Sequence, residues 1–314
     1  MYDYYKALPE KELPDTVAEM QPLFSAVAHG CAAGLHQQVK NEVYWSRIQR
    51  ENDYFMYKRL GAFSDHLAVL AHFFTTPWCA PVADLMDEEQ AVMLVRAGFC
   101  LCALGRLREA LEPMQAGMEM QASNEDWRNA AGAASNLSQL QLTLGDVTAA
   151  AMSGQQSVDY VDQSEDLFLR MGVRSIHAGA LHQAGETTWA LELFVEAEQI
   201  QQERQPKTPR LYSLPGFQYC DLLLAQNEMA VVLERYQQWV ERRQSGDPLL
   251  DRSLEDLMAG RAHCQQGNFS QATDWLDQAI AGLGRLPKGG GKATRRRCGV
   301  GLRLDLCEGR ACLV

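Results

Sequence analysis

Nowhere does the sequence reach the roughly 20 consecutive apolar residues that a membrane-spanning helix needs. The opening "MYDYYKALPEKELPDT" carries neither the basic n-region nor the apolar h-region of a secretory signal. Together these absences predict a cytoplasmic protein with no membrane role. Positive charge is scarce too: 29 Lys and Arg stand against 40 Asp and Glu, a formal net charge of -11. Such a chain repels phosphate backbones and anionic lipid, which excludes a general nucleic-acid footprint. No apolar/polar alternation is long enough for a strand of useful length, and Pro falls mostly at joints such as Pro77, Pro81, Pro206 and Pro209.

Motifs of chemistry are also missing. No two of the seven histidines (His29, His36, His66, His72, His177, His182, His263) have the four-residue separation of a zinc-binding H-E-x-x-H helix. Cys100 and Cys102 form a lone C-x-C, and residues two apart on a helix point in different directions. There is no G-x-S-x-G elbow. "LPKGGGKATRRR" places Gly291 and Lys292 as a phosphate-binding loop would. Leu286 stands where that loop needs its first Gly, and Ala293 where it needs the magnesium-binding hydroxyl. The expectation is a non-enzyme with no catalytic residue, no metal and no cofactor. The nine cysteines are an odd number in a large chain. Six of them (Cys31, Cys79, Cys100, Cys102, Cys220, Cys264) sit in helical, largely apolar patterns, so reduced thiols packed as small hydrophobes are expected.

What the sequence does have is a phrase that returns. "LGRLREAL" at 104–111 is followed by "LGDVTAAA" at 144–151 and "AGETTWAL" at 184–191. With the turn residue as marker, Gly105, Gly145, Gly185, Gln226 and Gly267 stand 40, 40, 41 and 41 residues apart, the fourth copy being degenerate. Seven residues before the marker comes a small residue (Gly98, Ser138, Ala178, Gly260), and five after it comes Ala (Ala110, Ala150, Ala190, Ala272). Small residues at these spacings let two helices approach closely. The marker Gly ends the first helix in a left-handed turn. Each unit therefore reads as helix, short turn, helix, and the 314-residue chain, 46% hydrophobic, can bury a large core. A lead segment at 1–19, atypical N-terminal hairpins at 20–90 with Gly34 at a turn, the array at 91–285 and a basic tail at 286–314 complete the expected organisation.

These residues resemble the tetratricopeptide repeat, with Gly98, Gly105, Ala110 and Gly117 as the first copy and Ala178, Gly185, Ala190, Phe194 and Ala197 as a close one. The resemblance implies an all-α, right-handed α-solenoid of tetratricopeptide-like helix-turn-helix repeats with a period of about 40 residues. The family norm is shorter, at 34 residues. "WRNAAGAASNLSQLQLTLGD" and "LYSLPGFQYCDLLL" also resemble the long-repeat arrays attached to bacterial signalling NTPases of the STAND class.

In such an array the first helices line the inner groove, where a partner peptide docks. Mapping that face gives Phe99 and Cys102, then Ser135, Gln139 and Leu142, then Ser175 and His182, then Leu257, Arg261 and Cys264. Asn136 and Arg174 flank the set and are placed to pair with a ligand backbone or carboxylate. The expected function is a protein- or peptide-binding scaffold or sensor in a bacterial signalling or defence system. The alternative is an inducer-binding module of a transcription regulator. An array end with exposed apolar surface also allows homo-oligomers.

The tail is foreign to the array: seven basic residues and two acidic ones lie in 286–314. Two readings stand: a basic arm that contacts nucleic acid or the acidic array of another copy, or a frame lost near "GGGKATRRR", which the abrupt end of the period favours. Translating the other frames downstream of codon 285 tests the second reading. A resumed helical repeat is expected, and its absence would refute a lost frame.

Overall fold

A computed structural model describes residues 1–164, 166–243, 247–285, 302–305 and 310–313. The described chain is all-α apart from two short strand pairs, and it divides into two compact units, Met1–Ala133 and a second that begins at Ala134.

The first unit opens with α1 (Tyr2–Ala7) packed on α2 (Val17–Ala32), with Tyr2 buried. Thr16 caps α2 by accepting from the Glu19 N–H at 3.2 Å. Gly34 turns the chain (φ 77) into α3 (His36–Val39), which continues as a ten-residue π-helix, Lys40–Gln49. Short helices α4 (Phe55–Lys58) and α5 (Phe63–Leu70) follow. Then come the first hairpin of the array, α6 (Asp87–Ala103) and α7 (Leu107–Ser123), and the start of α8 (Trp127–Leu144). The second unit holds the rest of α8, α9 (Val147–Val161), α10 (Leu167–Gln183), α11 (Thr187–Arg204), α12 (Ser213–Ala225), α13 (Met229–Arg242), α14 (Leu249–Gln265) and α15 (Phe269–Arg285).

The strand pairs depart from the helix-only expectation. β1 (Phe74–Thr76) and β2 (Ala80–Pro81) close around Trp78, itself left-handed (φ 66). β3 (Leu302–Asp305) pairs antiparallel with β4 (Arg310–Leu313). Segments of two to four residues are too short for alternation to register in a sequence. The remainder of the tail, including the Gly291–Lys292 motif, lies outside the described residues, so the nucleic-acid and lost-frame readings stay expectations.

Every hairpin of the array closes in one way. At the first, the Gly105 N–H donates to Cys102 O and the Arg106 N–H to Leu101 O, both at 2.9 Å, with Gly105 left-handed (φ 76). This double closure satisfies two carbonyls that a helix end leaves unpaired. The same pair of bonds recurs at Gly34, Gly145, Gly185 and Gly267. In the fourth repeat it corrects the sequence reading. The left-handed residue is Asn227 (φ 62), with Asn227 donating to Leu224 and Glu228 to Leu223, so Gln226 is still right-handed and the steps become 40, 40, 42 and 40. Asn is the side chain that best tolerates this conformation after Gly.

The marker fixes which residues meet. A Cβ on Gly98 would stand 3.1 Å from Met114 Cβ and 3.3 Å from Ala110 O. At the equivalent place in the second hairpin, the Ser138 hydroxyl donates to Ala150 O at 2.7 Å. Counted from Asn227, the fourth hairpin has Cys220 and Val232 at these two positions, both fully buried. Because neither is as small as the Gly or Ala found at α6–α7, α10–α11 and α14–α15, α12 and α13 approach less closely than those hairpins, and the large rings of α12 and α13 pack on other helices as well, Tyr219 on Phe194 of α11 and Tyr236 on Trp275 of α15.

Replacing Asn227 by Gly removes the Cβ penalty at φ 62 and is expected to stabilise the fold by about 0.5 kcal/mol, whereas Gly185→Ala, at φ 85, is expected to cost about 1 kcal/mol. Urea melts of the two variants check the opposite signs.

Candidate functional site

In the second unit the first helices pack in series, α10 against α12 and α12 against α14. Gly179 permits the first contact: a Cβ there would lie 3.1 Å from Gln218 Nε2. Six residues before each marker, this layer carries Gly179, Asp221 and Arg261, and three before it His182, Leu224 and Cys264. The polar members join. Arg261 Nη1 is 2.7 Å from Asp221 Oδ1, and His182 Nε2 is 3.4 Å from Asp221 Oδ2, so one carboxylate ties three consecutive helices. Burial works against charge on Asp221, but the hydrogen bond from His182 and the Arg261 guanidinium outweigh it and hold the carboxyl below the usual carboxylate range. All three side chains keep some exposure, between 13% and 17%. Beside them, His182 Nδ1, Gln218 Oε1 and His263 Nδ1 are buried without a hydrogen-bond partner among the described residues.

Of the residues that the sequence marked, His182 and Arg261 are brought together here. Others are placed differently. Arg174 is buried, and its guanidinium grips both oxygens of Asp162 at 2.8 Å and Glu196 at 2.7 Å, so it fastens α10 to its neighbours rather than facing outward. Ser175 is fully buried and donates to Met171 O at 3.0 Å. Ser135 and Leu257 are buried, Gln139, Leu142 and Cys264 are half-buried, and Asn136 is exposed. The sequence map takes no groove residue from the degenerate fourth copy, whose marker at Gln226 is one residue early, and so does not include Asp221. Counting from Asn227 puts Asp221 in the same column as Phe99, Gln139, Gly179 and Arg261.

The first unit carries a different cluster. Phe99, on α6, packs on Tyr57 (5.2 Å between centroids) and Phe63 (6.2 Å). Behind them the Arg96 guanidinium donates to Tyr44 Oη at 3.0 Å. The Tyr44 hydroxyl is therefore free to give its own proton to His66 Nε2 at 2.8 Å, which leaves the imidazole proton on Nδ1, 3.5 Å from Cys100 Sγ. Burial lowers the His66 pKa to about 3 and raises that of Cys100 to about 12, so the pair is imidazole and thiol, not the imidazolium and thiolate of a cysteine nucleophile. Cys102, half-buried beside it, is pushed up to about 11 by burial. Cys31, Cys100 and Cys220 pack as small apolar residues, while Cys79 is exposed beside β2.

Among the described residues no three His, Cys, Asp or Glu side chains gather as a metal ion would require, and no helix is long and apolar enough to cross a membrane.

Neither a protein-family model nor a curated protein matches the sequence. Among solved structures, the chain is similar to that described as the crystal structure of the apo form of RapI. The TM-score is 0.54 at 15% identity, over 90% of this chain and 97% of that one. At this identity the likeness is one of fold, a tetratricopeptide-like array of helical hairpins.

His177, on α10, packs on Gly154 of α9 and meets the Trp189 ring edge-on at 5.5 Å. Burial takes its pKa down to about 4, against a weaker upward pull from Asp159. His66 and His177 are thus neutral in the fold but protonate below about 6.5 once unfolded. The stability they contribute is present above pH 6.5 and is lost as pH falls toward 4, at up to about 1.4 kcal/mol per pH unit for each ring. Urea denaturation between pH 7 and 4.5 should show this fall, and His177→Phe should flatten it. An unchanged slope would show that His177 is not its source.

Proposed function

We propose that this chain is a non-enzymatic helical-repeat module that binds a protein or peptide segment along the first-helix layer of its second unit. In this reading it works in the cytoplasm, as the sensing or scaffolding part of a bacterial signalling or defence system. The observation that carries the reading is the His182–Asp221–Arg261 chain, polar side chains that join the first helices of three successive hairpins and keep some exposure to solvent. Other ion pairs of the unit are placed differently: Arg174 with Asp162 and Glu196 joins α10 to the end of α9 and to its own hairpin partner, and Arg235 with Glu198 joins the second helices α13 and α11, with the guanidinium buried. The Asp221 chain follows the first-helix layer, so an extended backbone laid across α10, α12 and α14 meets a carboxylate, Asp221, and a guanidinium, Arg261, in turn.

Selecting a random-peptide display library on the full chain tests the proposal. Binders are expected to be enriched, and Asp221→Asn combined with Arg261→Met is expected to weaken them by about 10-fold, the loss of one or two charge-assisted hydrogen bonds. Failure to enrich any peptide, or equal binding to the double variant with an unchanged melting temperature, would refute it.

A further inference from the structure

In the first unit, Arg96 carries a charge that no carboxylate of the described residues answers. Its guanidinium lies 4.9 Å from the Trp45 ring centroid, 5.5 Å from Tyr44 and 6.0 Å from Tyr54. Its one hydrogen bond within the described chain goes to the Tyr44 hydroxyl. Glu89, on the same helix, is committed to Lys40. The remaining guanidinium nitrogens are not sealed away: Arg96 is only partly buried, and none of its atoms is among the buried polar atoms left without a partner. An arginine cannot shed its proton to escape this setting. Ring faces return about 0.5–2 kcal/mol of cation–π attraction but leave the planar fork of N–H donors unfilled.

The walls around it are built, not incidental. The π-helix Lys40–Gln49, a rare geometry that recurs at functional sites, delivers Tyr44 and Trp45. Arg50, Glu51 and Tyr54 all hold left-handed backbone (φ 56, 52 and 50), each at a cost of about 1 kcal/mol for a side chain with a Cβ, and this bend brings Tyr54 over the guanidinium. From Tyr54 the rings continue to Tyr57 (5.4 Å), Phe63 (6.3 Å) and Phe99, all partly exposed.

We propose that this cluster is a binding site for a carboxylate carried on an apolar or aromatic body, the carboxylate meeting the Arg96 fork and the body lying on Tyr54, Tyr57, Phe63 and Phe99. A planar, singly charged group matches one guanidinium with two N–H donors side by side. A phosphate dianion would want several donors converging on it, whereas the walls next to the fork are ring surface and the further cation on them, exposed Lys58, lies 4.4 Å from the Tyr54 ring centroid. The site is separate from the Asp221 strip and does not depend on it.

Saturation-transfer NMR and calorimetry on the full chain test the site with three probes: 3-phenylpropionate, the peptide acetyl-Gly-Gly-Phe with a free carboxylate, and the same peptide as its C-terminal amide. Saturable binding of at least one acid is expected, with the amide weaker by about 10-fold or more, as is usual when a charge-assisted pair is lost. If only the small acid binds, the ligand is a small molecule; if only the peptide acid binds, it is a chain end. Arg96→Met should abolish the preference for acid over amide. Should that variant unfold, the acid–amide comparison on the unaltered chain still decides. Equal binding of acid and amide, no saturation at millimolar probe, or an acid preference that survives in a folded Arg96→Met variant would overturn the proposal.

Discussion

The repeat depends on one backbone conformation, a left-handed residue that ends the first helix of each hairpin and lets the next two N–H groups turn back onto its last carbonyls. Everything else is counted from it. Seven residues upstream the first helix must be small, and five downstream the second must be small, because at those two places the backbones come within van der Waals reach, as the Ser138 hydroxyl reaching Ala150 O makes plain. A left-handed turn without the small residues would splay the pair. Small residues without the turn would never be brought face to face.

The fourth hairpin shows how far this constraint bends. Asn227 replaces Gly at the turn, and Cys220 and Val232 replace smaller residues at the contact, so α12 and α13 stand further apart, and Tyr219 and Tyr236 pack on rings of α11 and α15. The loosened hairpin is also the one that supplies Asp221 to the first-helix layer. Packing toward the second helix and charge toward the neighbouring repeats sit on different faces of α12, so the array can vary one without disturbing the other.

Most buried cations among the described residues have a carboxylate partner, Lys40 with Glu89 in the first unit among them, and Arg96 is the exception. In the second unit, cations meet carboxylates: Arg174 with Asp162 and Glu196, Arg235 with Glu198, and Arg243 with Glu255 and Asp256. Arg235 also stacks on Tyr219 at 4.5 Å. In the first, the π-helix and the left-handed bend that follows it surround Arg96 with rings, and a neutral chain from Tyr44 through His66 to Cys100 completes its only hydrogen bond among the described residues. Ionised pairs tolerate partial burial because each partner offsets the other's desolvation. A cation among rings is only partly compensated, which is why Arg96 is a candidate binding group while Arg174 and Arg235 are structural.

The sequence by itself determined the helical hairpins, their period and the small-residue contacts, since Gly at the turn and Gly, Ser or Ala at the crossing are local requirements that leave a one-residue mark at a constant interval. It also marked His182 and Arg261. It misplaced the fourth turn by one residue, because Asn in a left-handed turn carries less signal than Gly, and that degenerate copy yielded no groove residue, so Asp221 was left out. The strip and the Arg96 cluster were decided by tertiary structure alone. Arg174, Ser175 and Leu257 share a helix face with His182 or Arg261 by counting, yet they are buried while those remain open. Tyr44, Trp45, Tyr54 and Phe99 are scattered over more than fifty positions and meet only because a π-helix and a left-handed bend fold them onto α6. Spacing along the chain reports which way a side chain leaves its own helix, and burial or encounter depends on what the other helices place opposite it.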